Sequence, residues 1–209
     1  MGYFPFFVDL EDKRGLVAGG GTVALRKLEK LLPYGPRLTV VSLEFREEIR
    51  RLPGLTLLQR AFCEDMLEGQ YFVIAATDDR ELNHRISRLC QEKHILVNVV
   101  DDKEACSFIF PSLVKRGKLS VGISTQGASP TGAIRIKEQL CRWIPENFDE
   151  ILEFLERKRP AVKAMIPEEE RRGEIFSRLY ERCMEEGRGL TEEEFDRLTR
   201  GGTEGGGKL

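Results

Sequence analysis

The sequence predicts an α/β fold that begins with a parallel sheet and ends in helices. Over the first hundred residues, short apolar segments alternate with helical patterns, which is typical of a doubly wound parallel sheet. After Ala105 the pattern changes to two apolar segments joined by the basic turn Lys115–Lys118, which predicts a β-hairpin. The remaining residues are highly charged, with apolar residues at helical spacing. A small α+β region is therefore expected to lead into a C-terminal helical domain.

Composition excludes several classes of protein. The 209 residues are 41% hydrophobic, which suffices for a core and fits one large domain or two smaller ones. With a net charge of −2, no nucleic-acid partner is expected, and no apolar run is long enough to predict a membrane span. The five cysteines are scattered, without a C-x-x-C pair. This favours a reducing cytoplasm over a disulfide scaffold or a structural zinc site.

A glycine-rich turn lies between the first predicted strand and the first predicted helix. The strand Leu16–Ala18 runs into Gly19-x-Gly21-x-x-Ala24, and the helix Thr22–Leu32 follows at once. Gly19 permits a tight turn, Gly21 leaves room for a pyrophosphate, and Ala24 lets the helix lie close to the strand. The helix N-terminus would then donate N–H groups to the phosphates. The pattern predicts a Rossmann-type dinucleotide site, and the alternative is a glycine turn with only a packing role.

The spacing of apolar residues also predicts the remaining strands and helices. β-Branched and apolar runs predict further strands at Arg37–Leu43, Leu55–Arg60, Tyr71–Ala76 and Ile95–Val100. Amphipathic spacing predicts further helices at Phe45–Arg51, Glu81–Lys93, Gly132–Trp143, Phe148–Lys158, Glu168–Glu186 and Thr191–Thr199. Pro160 is expected to separate two of these helices, and Thr191-x-x-Glu194 is a capping box. Cys63–Gly69 is expected to be an acidic loop, and Gly201–Leu209 a flexible tail.

Ligands of doubly wound sheets bind beyond the carboxyl ends of the strands. The cofactor contacts expected there are Gly19, Gly20, Gly21, Thr22, Val23, Ser42, Leu43, Glu44, Ala76, Thr77, Asn98 and Val100. In many NAD enzymes an acidic residue ends the second strand and binds the ribose. Here Ser42 and Leu43 stand at that place, Glu44 lies slightly beyond it, and Arg46 is near. Because no arginine is obviously placed for a 2′-phosphate, we expect NAD rather than NADP.

Five stretches of the sequence match one enzyme family in order and spacing. They are GGGTVALRK (19–27), AATDDRELN (75–83), VNVVDD (97–102), SFIFPS (107–112) and ISTQGASP (123–130). The combination of the second, third and fifth stretches is more specific than the glycine motif, which many enzymes share. Over roughly residues 1–145, the chain resembles the precorrin-2 dehydrogenase module of siroheme synthases.

The resemblance implies both an architecture and a reaction. A Rossmann domain would span 1–110, a dimerisation region 111–144 and a helical substrate-cleft domain 145–200. The chain would form a homodimer, with the hairpin region crossing between subunits. The implied reaction is the NAD-dependent oxidation of precorrin-2 to sirohydrochlorin in siroheme biosynthesis. Some family members also insert ferrous iron, so iron would enter as a substrate rather than as a bound cofactor.

The resemblance assigns the catalytic role to Asp101, which closes the stretch NVVD. A carboxylate at a strand end beside the cofactor suits a general base, because dehydrogenation needs a proton acceptor as well as a hydride acceptor. Asp102 is a neighbouring rival, and a loop-capping role is the alternative for either aspartate. Asn98 would either orient the cofactor or hold a neighbouring loop.

Precorrin-2 carries eight carboxylates, so basic and hydroxyl side chains are expected around it. The substrate-binding residues predicted in the second half of the chain are Thr125, Arg116 and Lys118. Arg135 and Lys137 are further candidates by charge. The Thr125 hydroxyl has an alternative role at the start of the next helix, for which Ser129 is the better cap.

Two histidines, His84 and His94, are the only ones in the sequence. No metal-ligand spacing surrounds them, so surface or packing roles are expected and no metal site is predicted. Two other functions stay open: a bifunctional dehydrogenase and ferrochelatase, and a non-catalytic nucleotide-binding regulatory module. Asp101 and the loop Thr125–Pro130 favour catalysis, because a pure sensor needs only the glycine turn.

Overall fold

The computed structural model describes residues 2–200, so the tail predicted for residues 201–209 lies outside the described residues. The chain forms two compact units that divide between Phe110 and Pro111. The extent 1–110 that the family resemblance implies for the nucleotide-binding domain stays a prediction. The subdivision of the second unit into 111–144 and 145–200 stays a prediction.

A five-stranded sheet forms the centre of the first unit. Its strands are β1 (Arg14–Ala18), β2 (Arg37–Ser42), β3 (Leu55–Gln59), β4 (Phe72–Ala75) and β5 (Leu96–Val99). They are ordered β3-β2-β1-β4-β5, and every neighbouring pair is parallel. Because the order reverses between β1 and β4, the crevice beyond their carboxyl ends is the topological switch point. The predicted Rossmann-type parallel sheet is confirmed.

Helices cover both faces of this sheet. They are α1 (Thr22–Leu31), α2 (Glu47–Arg51) and α3 (Arg80–Glu92). Successive side chains of a strand point to opposite faces. In β1, Val17 joins a core with Leu28 of α1, whereas Leu16 joins a second core with Ile86 of α3. Both faces are therefore buried, which explains the continuous apolar runs of the strands.

A β-hairpin and four helices form the second unit. They are β6 (Ser112–Arg116), β7 (Leu119–Ile123), α4 (Pro130–Trp143), α5 (Phe148–Met165), α6 (Glu169–Glu186) and α7 (Glu192–Arg200). Strands β6 and β7 pair antiparallel, with Val114 opposite Val121. Phe154 and Ile151 of α5 pack with Leu179 of α6 in the core of this unit. All three side chains are shielded from solvent.

Helix α5 corrects one prediction. The sequence predicted its end at Lys158 because of Pro160, but the helix continues through Pro160 to Met165. A proline inside a helix removes one backbone hydrogen bond and costs about 3 kcal/mol. Beyond it, Val162 is fully buried and Ile166 nearly so. Burial of two such apolar side chains offsets a cost of that size.

Several boundaries of other elements also differ from the prediction by one or two residues. Helix α2 begins at Glu47 rather than at Phe45, and the expected loop Cys63–Gly69 contains a 3-10 turn at Glu64–Leu67. This turn buries Leu67 completely, and a segment so short and acidic carries no clear periodicity. Within residues 2–200, every helix is too short or too polar to cross a bilayer.

Candidate functional site

The turn between β1 and α1 needs glycine at two positions for steric reasons. Gly19 has a φ of +125°, and a Cβ there would lie 2.2 Å from the Ala76 carbonyl oxygen. A Cβ on Gly20 would lie 2.0 Å from the Glu44 carbonyl oxygen. Gly21 differs, because a Cβ there would meet nothing within 4 Å. Gly21 thus borders open space, as expected for the glycine that a pyrophosphate approaches.

The N-terminus of α1 is left open. Its N-cap, Gly21, makes no side-chain hydrogen bond, so the first N–H groups of the helix are available to an anion. Arg46 holds the loop after β2 against this turn: Nη1 donates to the Thr22 hydroxyl at 3.0 Å, and the Arg46 N–H donates to the Gly20 carbonyl at 3.0 Å. Arg46 Nη2 lies 2.7 Å from Glu48 Oε1. This pairing raises the pKa of Arg46 and lowers that of Glu48.

A cleft of about 780 Å³ opens at the carboxyl ends of β1, β2 and β4. Its lining includes the predicted cofactor contacts Gly19, Gly20, Gly21, Ser42, Leu43, Glu44, Ala76 and Thr77. The lining also contains Arg46, which the sequence placed near the end of the second strand, and residues that were not predicted there, among them Arg60, Phe62, Asp78 and Leu82. The predicted contacts outside the lining are Thr22, Val23, Asn98 and Val100.

A second hollow, of about 670 Å³, lies near the amino ends of β4 and β5. Its lining includes Glu64, Asp65 and Glu68. These carboxylates would repel phosphate groups. The cleft at the carboxyl ends is therefore the candidate dinucleotide site.

The loop after β4 is held by Asn83, a buried residue of α3. Asn83 Oδ1 accepts from the Thr77 N–H at 3.1 Å and lies 2.7 Å from the Thr77 hydroxyl, and Asn83 Nδ2 donates to the Thr77 carbonyl at 2.9 Å. Asp79 caps α3 by accepting from the Leu82 N–H at 3.1 Å. These contacts fix Thr77 at the rim of the cleft. The stretch AATDDRELN identified the motif, but the sequence did not show that Asn83 forms hydrogen bonds with Thr77.

The two candidate bases after β5 differ in their contacts. Asp102 Oδ1 accepts from the N–H groups of Glu104 and Ala105 at 3.0 and 3.1 Å. Asp102 Oδ2 lies 3.2 Å from His84 Nε2, so this carboxylate closes its own loop. Asp101 is exposed, has a φ of +59°, and makes no side-chain hydrogen bond or ion pair with the described residues. The Asp101 carboxylate is therefore the one available to a ligand.

The segment after Asp102 folds back along the edge of β5. Asn98 is buried, and its Nδ2 donates to the Phe108 carbonyl at 3.0 Å, which is the loop-holding role of the two expected for it. The Cys106 sulfur lies 3.0 Å from both the Val99 nitrogen and the Asp102 carbonyl oxygen. Burial raises the pKa of the Cys106 thiol. Nothing in the spacing of the cysteines predicted this position between Val99 and Asp102.

Lys27, on the second turn of α1, was not predicted as a site residue. Its ammonium lies 3.8 Å from the centre of the Phe110 ring. Burial and then the charge of Lys30 lower the pKa of Lys27 to about 8, while Cys106 and Asp101 act in the opposite direction. Lys27 thus lies within electrostatic reach of Asp101. The stretch GGGTVALRK contains this lysine, but helical spacing does not identify its distant partner.

Two predicted substrate contacts lie on the hairpin of the second unit. The Arg116 guanidinium donates to carbonyl oxygens at the end of α4, those of Cys141, Ile144 and Pro145. The Lys118 ammonium pairs with the Glu156 carboxylate. Both side chains therefore have contacts within the second unit, and their roles toward a substrate stay predictions.

The third predicted substrate contact, Thr125, supports the start of α4. Its hydroxyl accepts from the Ser129 N–H at 3.1 Å and donates to the Ser129 carbonyl at 2.9 Å. Ser129 Oγ accepts from the Gly132 N–H at 3.0 Å, so Ser129 caps the helix as expected. A role for Thr125 toward a substrate stays a prediction.

The cysteines and histidines form no metal centre in the part of the chain that the structure describes. Within residues 2–200, no three His, Cys, Asp or Glu side chains are grouped so that they could hold a metal ion. All five cysteines belong to this part of the chain, and each is a free thiol. His94 has a φ of +56° in the turn before β5, a backbone conformation that histidine adopts more readily than most residues.

The candidate cleft and Asp101 both lie in the part of the chain that matches a known protein family. Residues 6–112 match the family described as "Putative NAD(P)-binding". The chain belongs to this family. Membership agrees with the open glycine turn, and it confirms the dinucleotide-binding class that the sequence predicted.

Curated relatives named siroheme synthase match most of the chain. One from Thioalkalivibrio sulfidiphilus is 40% identical over 184 residues, which are 87% of this chain and 38% of that protein. One from Ectopseudomonas mendocina is 38% identical over 203 residues, which are 92% of this chain and 44% of that protein. The chain therefore spans about two fifths of the length of these relatives.

One solved structure matches nearly the whole chain. It is named "SirC, precorrin-2 dehydrogenase", and it aligns with a TM-score of 0.73 and 26% identity over 95% of this chain and 98% of that chain. Together with the curated relatives, this match confirms the resemblance that the five sequence stretches carried.

Proposed function

We propose that the chain catalyses the NAD-dependent dehydrogenation of precorrin-2 to sirohydrochlorin in siroheme biosynthesis. The observation that carries the proposal is the combination of an open dinucleotide cleft with an unengaged carboxylate, Asp101, after a neighbouring strand. The relatives named siroheme synthase and the structure named precorrin-2 dehydrogenase support the choice of substrate.

The residues of the cleft fit a dinucleotide. Gly21 borders open space and the N-terminus of α1 offers N–H donors, so both would hold the pyrophosphate. Thr77, fixed by Asn83, would contact the cofactor at the rim of the cleft. When bound, the nicotinamide supplies the hydride acceptor of the reaction.

Asp101 is proposed as the general base. Oxidation of precorrin-2 removes a hydride and a proton from the macrocycle, and the proton needs an acceptor. The Asp101 carboxylate is unengaged among the described residues, whereas Asp102 is held by its own loop. Asp101 has a left-handed backbone, which aspartate adopts more readily than most residues with a side chain.

Anaerobic turnover of precorrin-2 with NAD, followed by absorbance, tests this proposal. Asp101→Asn keeps the size of the side chain and tolerates a positive φ, but it cannot accept the proton. We expect kcat to fall about a hundredfold or more while NAD affinity stays unchanged. Asp102→Asn is the matched control and should lower stability while keeping most turnover. Full turnover by a folded Asp101→Asn variant would contradict the assignment.

The second unit is proposed to supply the dimer interface over 111–144 and the wall of the tetrapyrrole cleft over 145–200. The exposed apolar side chains of Ile134, Ile136 and Trp143 on α4 support an interface. Thr125, Arg116 and Lys118 are proposed to bind substrate carboxylates. Light scattering tests the homodimer, because one chain weighs 23.9 kDa and a dimer weighs twice as much. The mass of a single chain would contradict it.

NAD is proposed over NADP because Arg46, which lines the cleft close after β2, is already engaged. Arg46 is shared between Thr22 and Glu48, and the Glu48 carboxylate would repel a 2′-phosphate. Glu48→Gln releases Arg46, so we expect the KM for NADP to fall about two- to fivefold with little change for NAD. Wild-type turnover with NADP that equals turnover with NAD would contradict the preference.

The alternatives from the sequence stay predictions. Iron insertion would appear as faster-than-spontaneous metal uptake when ferrous ion is added to sirohydrochlorin and the chain. A chain that binds NAD but leaves precorrin-2 unchanged would favour the non-catalytic regulatory module. The cytoplasmic location inferred from the cysteines also stays a prediction.

A further inference from the structure

Lys27 and Phe110 form a feature that the proposed function leaves unused. The Lys27 ammonium lies 3.8 Å from the centre of the Phe110 ring, within the range of cation–π attraction. Lys27 is half-buried, and it makes no ion pair or hydrogen bond through its side chain with the described residues. The cation is therefore partly dehydrated and rests on an aromatic face without a neutralising partner.

Lys27 belongs to the Asp101 side of the first unit rather than to the dinucleotide cleft. It is absent from the lining of the 780 Å³ cleft, whereas its charge is coupled to those of Asp101 and Cys106. Phe110, under the ammonium, follows the segment that folds back along β5 and packs on Phe108. Because the Phe108 carbonyl accepts from Asn98 of β5, Lys27 and Phe110 lie on the side of the sheet where β5 leads to the proposed base.

We propose that Lys27 is a substrate-binding residue whose ammonium binds one carboxylate of the tetrapyrrole and thereby orients the macrocycle toward Asp101. This inference rests on the proposed function, whose substrate carries eight carboxylates. A cation that has already lost part of its hydration gives up less on binding, and a carboxylate forms a strong charge-assisted hydrogen bond with it. Phe110 keeps the ammonium in place without neutralising its charge.

The interaction should depend on pH. In the free chain, burial and Lys30 lower the pKa of Lys27 to about 8, and Cys106 and Asp101 oppose this shift. Asp101 is the carboxylate among these neighbours, and burial raises the pKa of the Cys106 thiol. A bound carboxylate adds a second negative charge and favours protonated Lys27. Affinity for a polycarboxylate should therefore be full below about pH 8 and fall above it.

Uroporphyrin, an air-stable tetrapyrrole with eight carboxylates, is the probe for this site. Its binding to the full chain is followed by fluorescence at about pH 7 and about pH 9. We expect Lys27→Gln to weaken binding about tenfold at the lower pH. Lys27→Arg should keep the affinity and lose the pH dependence, because a guanidinium stays charged. Lys30→Gln, which removes the same charge from α1, is the control at about pH 7, where it should change affinity by less than about twofold; because the Lys30 charge lowers the pKa of Lys27, this variant should weaken the loss of affinity at about pH 9.

Two further readouts separate substrate binding from a structural role. Lys27→Gln should raise the KM for precorrin-2 about tenfold, change kcat less, and leave NAD affinity unchanged. The same variant should also raise the Tm by about 2 °C or more, because burial of the wild-type charge disfavours folding below the lowered pKa. Loss of binding in a more stable variant cannot come from unfolding.

Several outcomes would overturn the proposal. These are unchanged uroporphyrin affinity in Lys27→Gln, an equal loss in Lys30→Gln, or a wild-type chain that does not bind uroporphyrin. Loss of NAD affinity in Lys27→Gln would assign the lysine to the cofactor and would also overturn it. If precorrin-2 is not oxidised but the uroporphyrin results hold, the proposed function fails while the Lys27 site stands.

Discussion

The starts of α1 and α4 both follow glycine-containing loops, yet one is open and the other is closed. At α1 the N-cap is Gly21, which makes no side-chain hydrogen bond and borders open space. At α4, Ser129 accepts from the Gly132 N–H at 3.0 Å, and Thr125 bonds both backbone groups of Ser129. A helix start that satisfies its own N–H groups cannot offer them to a phosphate. The N–H groups at the start of α1 are therefore available to a phosphate, whereas the cap at the start of α4 stabilises its own helix.

Helix α7 repeats the closed arrangement with different residues. Thr191 Oγ1 lies 3.3 Å from the Glu194 nitrogen, and Glu194 Oε2 accepts from the Thr191 N–H at 2.8 Å. This is the capping box that the sequence predicted. The carboxylate of this box introduces a pH dependence that neither α1 nor α4 has at its N-cap.

The largest effect is expected from one methyl group in the open turn. Gly20→Ala would place a Cβ 2.0 Å from the Glu44 carbonyl oxygen, so the loop after β2 must move. We expect the free energy of unfolding to fall by about 3 kcal/mol, and NAD binding to be lost with the geometry of the turn. Thermal unfolding and titration calorimetry measure both effects. If Gly20→Ala kept the wild-type Tm, the turn would accommodate the methyl group, and glycine would not be required at this position.

Gly21→Ala separates binding from folding at the same turn. Its Cβ would meet nothing within 4 Å, and the φ of −90° suits alanine. The methyl group would nevertheless stand where the pyrophosphate approaches, so we expect NAD affinity to fall about tenfold while the Tm stays within about 3 °C of wild type. Unchanged NAD affinity by calorimetry would place the phosphates elsewhere.

Ser129→Ala tests the closed start of α4. Loss of the N-cap hydroxyl should lower the free energy of unfolding by about 1 kcal/mol, which is about 2–4 °C in Tm for a chain of this length. NAD affinity should not change, and Ser129→Thr, which keeps a hydroxyl, should restore most of the stability. A parallel loss of NAD affinity would mean that this loop also takes part in cofactor binding.

The substitution Glu194→Gln should change the Tm least at acidic pH. The Arg188 pairing, followed by the Thr191 N–H, lowers the pKa of Glu194 to about 2 from an ordinary 4.5. Because folding lowers this pKa, the contact stabilises the chain above about pH 4.5, and the stabilisation disappears as the pH falls toward 2. Thermal unfolding in this window should show the wild-type Tm falling toward that of Glu194→Gln. Parallel curves for the two proteins would show that the carboxylate is not coupled to folding.

Features set by neighbouring residues could be predicted from the sequence. The glycine spacing requires a tight turn at Gly19–Gly21, and the box at Thr191–Glu194 involves residues three apart, so both follow from local backbone geometry. The alternation of apolar and amphipathic segments likewise predicted all five strands of the parallel sheet. In each case the deciding contacts lie within one element and its flanking turn.

Features set by distant residues could not be predicted in this way. Arg46 reaches Thr22 across 24 positions, and Lys27 lies over Phe110. Periodicity assigns a side chain to a face of its element but not to a partner on another. Pro160 is the opposite case, because its local helix-breaking effect was real but was outweighed by tertiary burial farther along α5.

The left-handed backbone at Asp101 favours glycine for stability, whereas the proposed reaction needs a carboxylate at this position. At a φ of +59° glycine is the least strained residue, and a residue with a side chain costs about 1 kcal/mol or more. A library of variants selected only for folded yield should therefore enrich glycine at position 101, whereas selection for turnover should retain aspartate. Under the proposed role of Asp101 as the base, engineering that ranks substitutions by stability alone would select glycine at position 101 and lose turnover.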